Sequence, residues 1–85
     1  KTEIAKEKRE EREVRKKNRA LRKEKEKLEK EISDMEEKLS TIDDKLQDQE
    51  TYSDYQLAND LSIERQSLAN TLEDLYEAWM ELEEN

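Results

Sequence analysis

The sequence predicts an all-α protein: a two-helix antiparallel coiled-coil hairpin with a basic N-terminal helical extension. Three observations lead there. The 85 residues are 49% charged and 31% hydrophobic, with no Gly, Pro, Cys, His or Phe, a balance found in coiled coils and long helices rather than in compact domains. Apolar residues recur at alternating spacings of three and four in two separate series, the pattern of a helix seam. Between the series the pattern lapses over Gln47–Gln56, where residues suited to starting a new helix stand.

The extension, residues 1–21, is almost entirely charged and has no antiparallel partner within the chain, because the second helix runs out opposite about residue 22. The hairpin occupies residues 22–85, with helix 1 at about 22–49, a tip at about 50–53 and helix 2 at about 54–85. In the first series Val14, Leu21, Leu28, Met35 and Ile42 take the d positions of a heptad written abcdefg. Asn18, Lys25, Ile32, Leu39 and Leu46 take the a positions. In the second series Leu61, Leu68, Leu75 and Leu82 stand at d, with Ala58, Arg65, Leu72 and Trp79 at a.

Ser53-Asp54-Tyr55-Gln56 fits a capping box, in which Ser53 accepts a backbone N–H three residues on and Gln56 reaches back. Tyr52 and Leu57 fit the accompanying hydrophobic staple. One uninterrupted helix through the tip is the alternative. Folding back at the tip sets a residues against d residues: Leu46–Leu61, Ile42–Arg65, Leu39–Leu68, Met35–Leu72, Ile32–Leu75, Leu28–Trp79 and Lys25–Leu82 all share an index sum of 107. The same register brings Lys45 beside Glu64 and Arg22 beside Glu83. Arg65 and Lys25 are expected to lay their stems on the seam and send their charges outward.

The net charge of −8 is unevenly spread. Residues 1–31 carry 14 Lys/Arg against 9 Asp/Glu, whereas residues 32–85 carry 3 against 16. In the extension Lys8, Arg15 and Arg22 fall at e, Arg12 and Arg19 at b, and Arg9, Lys16, Lys23 and Lys30 at f. These three positions adjoin on the helical wheel, so the cations form one stripe, with Glu10, Glu24 and Glu31 at g on the far side. Such a stripe can track phosphates. It can equally be a solvated face laced by i,i+4 pairs such as Glu11–Arg15, Glu13–Lys17 and Glu26–Lys30. No aromatic residue interleaves with it, so stacking on unpaired bases is not supported.

Other candidate sites read as structure. Trp79, Tyr76 and Met80 can form a docking patch, but the heptad assigns Trp79 to its layer and Tyr76 to its flank. The acids at the tip, Asp43, Asp44, Asp48, Glu50 and Asp54, lack the Gly and ordered spacing of a calcium loop. Without His or Cys there is no imidazole base, thiol nucleophile or usual zinc site. Without Gly there is no phosphate-cradling loop. The fragment is expected to be non-catalytic. No apolar run of about 18 residues offers a membrane span, and no signal-peptide pattern is present. The absence of Cys fits a reducing cytoplasm, and the opening Lys1 suggests a piece of a longer protein.

The stretches Leu28-Glu29-Lys30-Glu31-Ile32 and Met35-Glu36-Glu37-Lys38-Leu39 lead into Leu46-Gln47-Asp48-Gln49-Glu50-Thr51-Tyr52-Ser53-Asp54. The end reads Leu72-Glu73-Asp74-Leu75-Tyr76-Glu77-Ala78-Trp79-Met80-Glu81-Leu82. Over about residues 6–83 this resembles the C-terminal coiled-coil domain of ABC-F (Uup-like) ATP-binding cassette ATPases. Their tip resembles Leu-x-Asp-Pro-x-x-Tyr-x-Asp and their terminus Leu-x-x-x-Trp-x-x-Leu. Leu46, Asp48, Tyr52 and Asp54 match the tip, with Gln49 in place of the Pro; Leu75, Trp79 and Leu82 match the terminus. The lead-in Lys6-Glu7-Lys8-Arg9-Glu10 is similar to the linker that joins the second ATPase domain to this hairpin.

The resemblance implies a cytoplasmic parent with two ATPase domains and no membrane span, in a group where many members bind the ribosome to modulate translation or relieve antibiotic stalling. ATP and Mg would belong to those other domains, with no cofactor in this one. It also implies nucleic-acid binding, to ribosomal RNA or DNA, and the basic stripe then supplies the expected contacts: Lys8, Arg9, Arg12, Arg15, Lys16, Arg19, Arg22 and Lys23. The fragment is expected to be a monomer, with a weak dimer as the alternative, and to contact its parent's ATPase domains. The alternative is a protein–protein or dimerisation coiled coil in which residues 1–21 pair with a second copy or with the parent's ATPase domains, and Asn18 and Lys25 specify register.

Overall fold

The computed structural model describes residues 2–84. They form three helices and, among the described residues, no strand: α1 (Thr2–Gln47), α2 (Gln49–Tyr52) and α3 (Tyr55–Glu84). The molecule is a rod of 77 × 14 × 14 Å. Its length is set by α1, whose 46 residues at about 1.5 Å each span roughly 69 Å. The basic extension is therefore continuous with the first helix and not a separate element.

Polar bonds place α1 and α3 side by side and opposite in direction. Lys25 Nζ donates to Glu83 Oε1 at 2.7 Å. Trp79 Nε1 donates to Glu29 Oε1 at 3.2 Å, and Tyr76 Oη donates to Glu36 Oε1 at 3.0 Å. Arg65 Nε donates to Asp43 Oδ1, with Nη2 3.4 Å from Asp43 Oδ2. As the α1 number rises the α3 number falls, and three of these four pairs share an index sum of 108. That lies one unit from the register expected of the seams. Glu83 takes Lys25 and not the expected Arg22, because an a-position lysine can swing out of the seam onto a carboxylate across it.

Burial follows the heptad. Ile32, Ile42 and Leu72 are buried. Leu21, Leu28, Met35, Leu39 and Leu46 of α1 and Leu61, Leu68, Leu75, Trp79 and Leu82 of α3 are half-buried. No side chain among the described residues is wholly sealed from solvent, because two helices enclose only a strip and a third layer is missing. Before Leu21 the seam has nothing against it: Ile4 is 59% and Val14 56% exposed.

The tip departs from the expected capping box. Asp48, extended at φ −73°, ψ 130°, caps α2, its side chain accepting the Glu50 N–H at 3.3 Å. Asp54 caps α3, its Oδ1 accepting the Leu57 N–H at 3.2 Å. Ser53 instead ends α2, its backbone N–H donating to the Gln49 carbonyl at 3.1 Å. Gln56 does not reach back; its Nε2 donates to Asp60 Oδ1 at 3.0 Å. Asp and Ser cap helices about equally well, and here the carboxylate adds a full charge at the positive end of the helix. Moving the cap by one residue also dissolves the staple, and Tyr52 and Leu57 are both exposed. The chain reverses through one extended residue and one short helix, with no positive φ among the described residues. This is how a sequence without Gly makes the bend.

Candidate nucleic-acid interface

Lys8, Arg9, Arg12, Arg15, Lys16, Arg19, Arg22 and Lys23 all stand on α1 and are all exposed. A helical repeat of about 3.6 residues gathers the e, b and f positions on one side, so these cations share a face about 22 Å long from Lys8 to Lys23. Lys8, Arg12 and Arg15 line a shallow concavity together with Glu11. Arg15 Nη2 lies 3.6 Å from Glu11 Oε2, with both side chains about two-thirds or more exposed. That pair is worth little in water. It leaves the remaining guanidinium donors of Arg15 facing solvent.

Nearly the whole stripe lies where α1 runs bare, ahead of the segment that α3 covers. The e column of α1 shows what this means chemically. Lys8, Arg15 and Arg22 are succeeded, at the same seven-residue spacing, by Glu29, Glu36 and Asp43. Each of those three acids accepts from a donor on α3: the Trp79 indole, the Tyr76 hydroxyl and the Arg65 guanidinium. Where α1 has a donor-bearing neighbour, the column accepts. Where it has none, the column is cationic and suited to a neighbour that brings anions. Spacing in the sequence identifies the cations but passes over this acidic half of the same column. The signal available was the change of sign at Glu29 within an unbroken heptad.

These bonds have titration consequences. The hydrogen bond to Glu36 holds the Tyr76 hydroxyl above its ordinary value, with burial and the charge of Glu36 adding to the effect. The hydrogen bond to Asp43, and secondarily its charge, raises the Arg65 guanidinium further above its already high value. Trp79 and Tyr76 thus serve the contact between α1 and α3, while Met80 beside them remains exposed.

The other candidates offer less. Among the described residues no cluster of three or more potential ligands could hold a metal ion. Two of the tip acids, Asp48 and Asp54, are occupied as helix caps and a third, Asp43, binds Arg65. No helix among the described residues is long and apolar enough to cross a membrane.

Comparison with known proteins identifies the scaffold that carries this face. No curated protein and no solved structure matches the chain. The family model of the ABC transporter C-terminal domain matches residues 16–84, a span that holds Lys16, Arg19, Arg22 and Lys23, the paired segments and both helix caps, and starts just after Lys8, Arg9, Arg12 and Arg15. With four-fifths of its length under that match, the chain belongs to the ABC transporter C-terminal domain family.

Proposed function

We propose that this chain is the coiled-coil hairpin appendage of a cytoplasmic ABC-F ATPase, and that it binds nucleic acid through the bare, basic part of α1. In this reading residues 22–84 form the hairpin proper, a rigid strut, and residues 2–21 carry the contact together with Arg22 and Lys23 at the strut's open end. The ligand is the phosphate backbone of ribosomal RNA or DNA, met by Lys8, Arg9, Arg12, Arg15, Lys16, Arg19, Arg22 and Lys23. Recognition is by charge and shape with little base specificity, because no aromatic side chain lies among these cations. The chain performs no chemistry itself; any hydrolysis of ATP belongs to ATPase domains elsewhere in the parent.

The observation that carries this reading is the sign change in the e column, cationic only where α3 is absent. The rest of the rod is acidic and repels a polyanion, which confines binding to the overhang. The test is fluorescence anisotropy with a labelled DNA duplex and a ribosomal RNA duplex across a salt series. Combined Arg12→Glu, Arg15→Glu and Arg19→Glu should weaken binding at least tenfold. It should also reduce the salt slope on duplex DNA by up to about 2.7, at about 0.9 for each phosphate no longer neutralised. Affinity that ignores both salt and these reversals would refute the reading.

A further inference from the structure

The two long edges of the α1–α3 pair are unlike each other. One is bridged by the bonds of Glu29, Glu36 and Asp43 to α3, beside a concavity of about 400 Å³ lined by Glu29, Ile32, Ser33, Glu36, Tyr76 and Trp79. Along the other runs a shallow groove in two stretches of about 390 and 640 Å³, with Glu31 in the lining of both. Its floor is the apolar seam itself, including Leu28, Met35, Ile42, Leu61, Leu68 and Leu82. Of the α3 residues along it, Ala78 is too small to roof the floor, which stays open there. Its rim carries six acids against three lysines.

We propose that this groove receives the overhang, residues 2–21, of a second copy of the chain. Three features on the molecule point to that occupant. The first is length: the groove runs along α1 from Glu24 to Lys45, about 32 Å, and a 20-residue helix is about 30 Å long. The second is charge: residues 2–21 hold eight Lys/Arg against five Asp/Glu, the inverse of the acidic rim, and they present exposed Ile4 and Val14 to an apolar floor. The third is position. The groove begins where the overhang ends, so two rods laid antiparallel, open end to open end, fill both grooves in one twofold act. Each overhang then completes a three-helix layer, supplying the neighbour that two helices lack. In this arrangement Val14 of one copy lies level with Glu31 of the partner subunit.

The overhang cations that face a polyanion also face this rim, so dimer and nucleic-acid complex compete for them. The inference stands apart from the nucleic-acid reading, because its rim residues play no part in that one. Sedimentation equilibrium of the whole chain should show a dimer that dissociates as salt is raised. Glu31→Lys with Glu37→Lys should raise the dimer dissociation constant at least tenfold, while duplex binding, freed of the competing rim and of two repelling acids, should hold or strengthen. Restoring charge complementarity with Arg12→Glu and Arg15→Glu should recover the dimer.

The chain has no cysteine, so Val14→Cys and Glu31→Cys variants each carry a unique thiol. Oxidising a mixture of the two should give a disulfide-linked dimer, and oxidising either alone should not, since like positions lie about 25 Å apart. A monomer at every concentration up to about 1 mM overturns the proposal. So does a disulfide between two Val14→Cys chains, which would mean a parallel pairing.

Discussion

One continuous helix lives in two environments. From Leu21 to Gln47, α1 has a partner: its a and d residues are buried or half-buried and its e residues from Glu29 onward accept bonds from α3. From Thr2 to Ala20 it has the same heptad lettering and no partner, and every side chain is exposed. Composition tracks the difference. The paired segment has Leu, Met or Ile at nearly every seam position, while the bare one has Glu7, Glu11 and Asn18 around Ile4 and Val14. A seam that is only partly apolar gains too little from burial to hold a partner by the hydrophobic effect alone. Charge must therefore choose what docks there. The e column makes that choice, with acids where α3 donates and cations where it does not reach.

Substitutions that separate the two environments sharpen this comparison. The largest effect belongs to Ile42, at 5% exposure the most buried apolar residue among those described. Ile42→Ala should cost about 2–5 kcal/mol, whereas Val14→Ala should stay within about 0.5 kcal/mol. Thermal melts followed by circular dichroism read both. Equal costs would mean that the bare segment is packed as tightly as the covered one. Next comes the e column itself. Reversing Glu29, Glu36 and Asp43 to Lys should lower the melting temperature by several degrees, since each loses an acceptor role and Asp43→Lys sets a cation against Arg65. Reversing Lys8, Arg15 and Arg22 to Glu should leave the melt nearly unchanged and abolish tight duplex binding.

A smaller and less intuitive effect lies at the tip. Gln49 is the first residue of α2, after an extended Asp48. The first helical position is where proline is best tolerated, and an extended residue is what proline wants before it. The proline that the family resemblance places here would begin α2 as much as end α1, and Gln49 keeps its geometry. Gln49→Pro should therefore stabilise the chain by about 0.4–1 kcal/mol through the unfolded state. A loss of stability would show that the Gln49 N–H is needed.

The smallest effect concerns pH. The folded state holds the Tyr76 hydroxyl above its ordinary value through Glu36. Its contribution is fully present below the unfolded tyrosine range near 10 and is lost as pH climbs through the raised folded value. Tyr76→Phe should flatten that part of the stability profile, measured by denaturant melts between about pH 9 and 11.

Much of this is legible in the sequence, and the reason is periodicity. A heptad states which residues face inward before any partner is known, so Ile32, Ile42 and Leu72 can be named from spacing alone, as can the exposure of the cationic stripe. What escapes are choices between near-equal local options. Asp54 and Ser53 both suit an N-cap, and the sequence offers no periodic signal to separate them. Glu83 can reach Lys25 or Arg22, and long flexible side chains decide between such partners only in three dimensions. Thr51, buried at the tip, stands seven residues before Ala58, but it is polar and lies in the lapse between the two series, ahead of the expected start of helix 2. The open groove is invisible for a related reason. It comes from what α3 does not place along one edge, Ala78 in place of a long side chain, and a gap leaves no motif.

The division of α1 is tested most directly by hydrogen–deuterium exchange on the whole chain at low micromolar concentration, where copies do not meet. The account predicts a step near residues 21–25. Amides before it should exchange within seconds to minutes, as in a lone helix fraying against water, and amides from there to Gln47 should be protected by packing on α3. Protection that runs unbroken from Ile4 to Gln47, or that is absent from the segment facing α3, would contradict it.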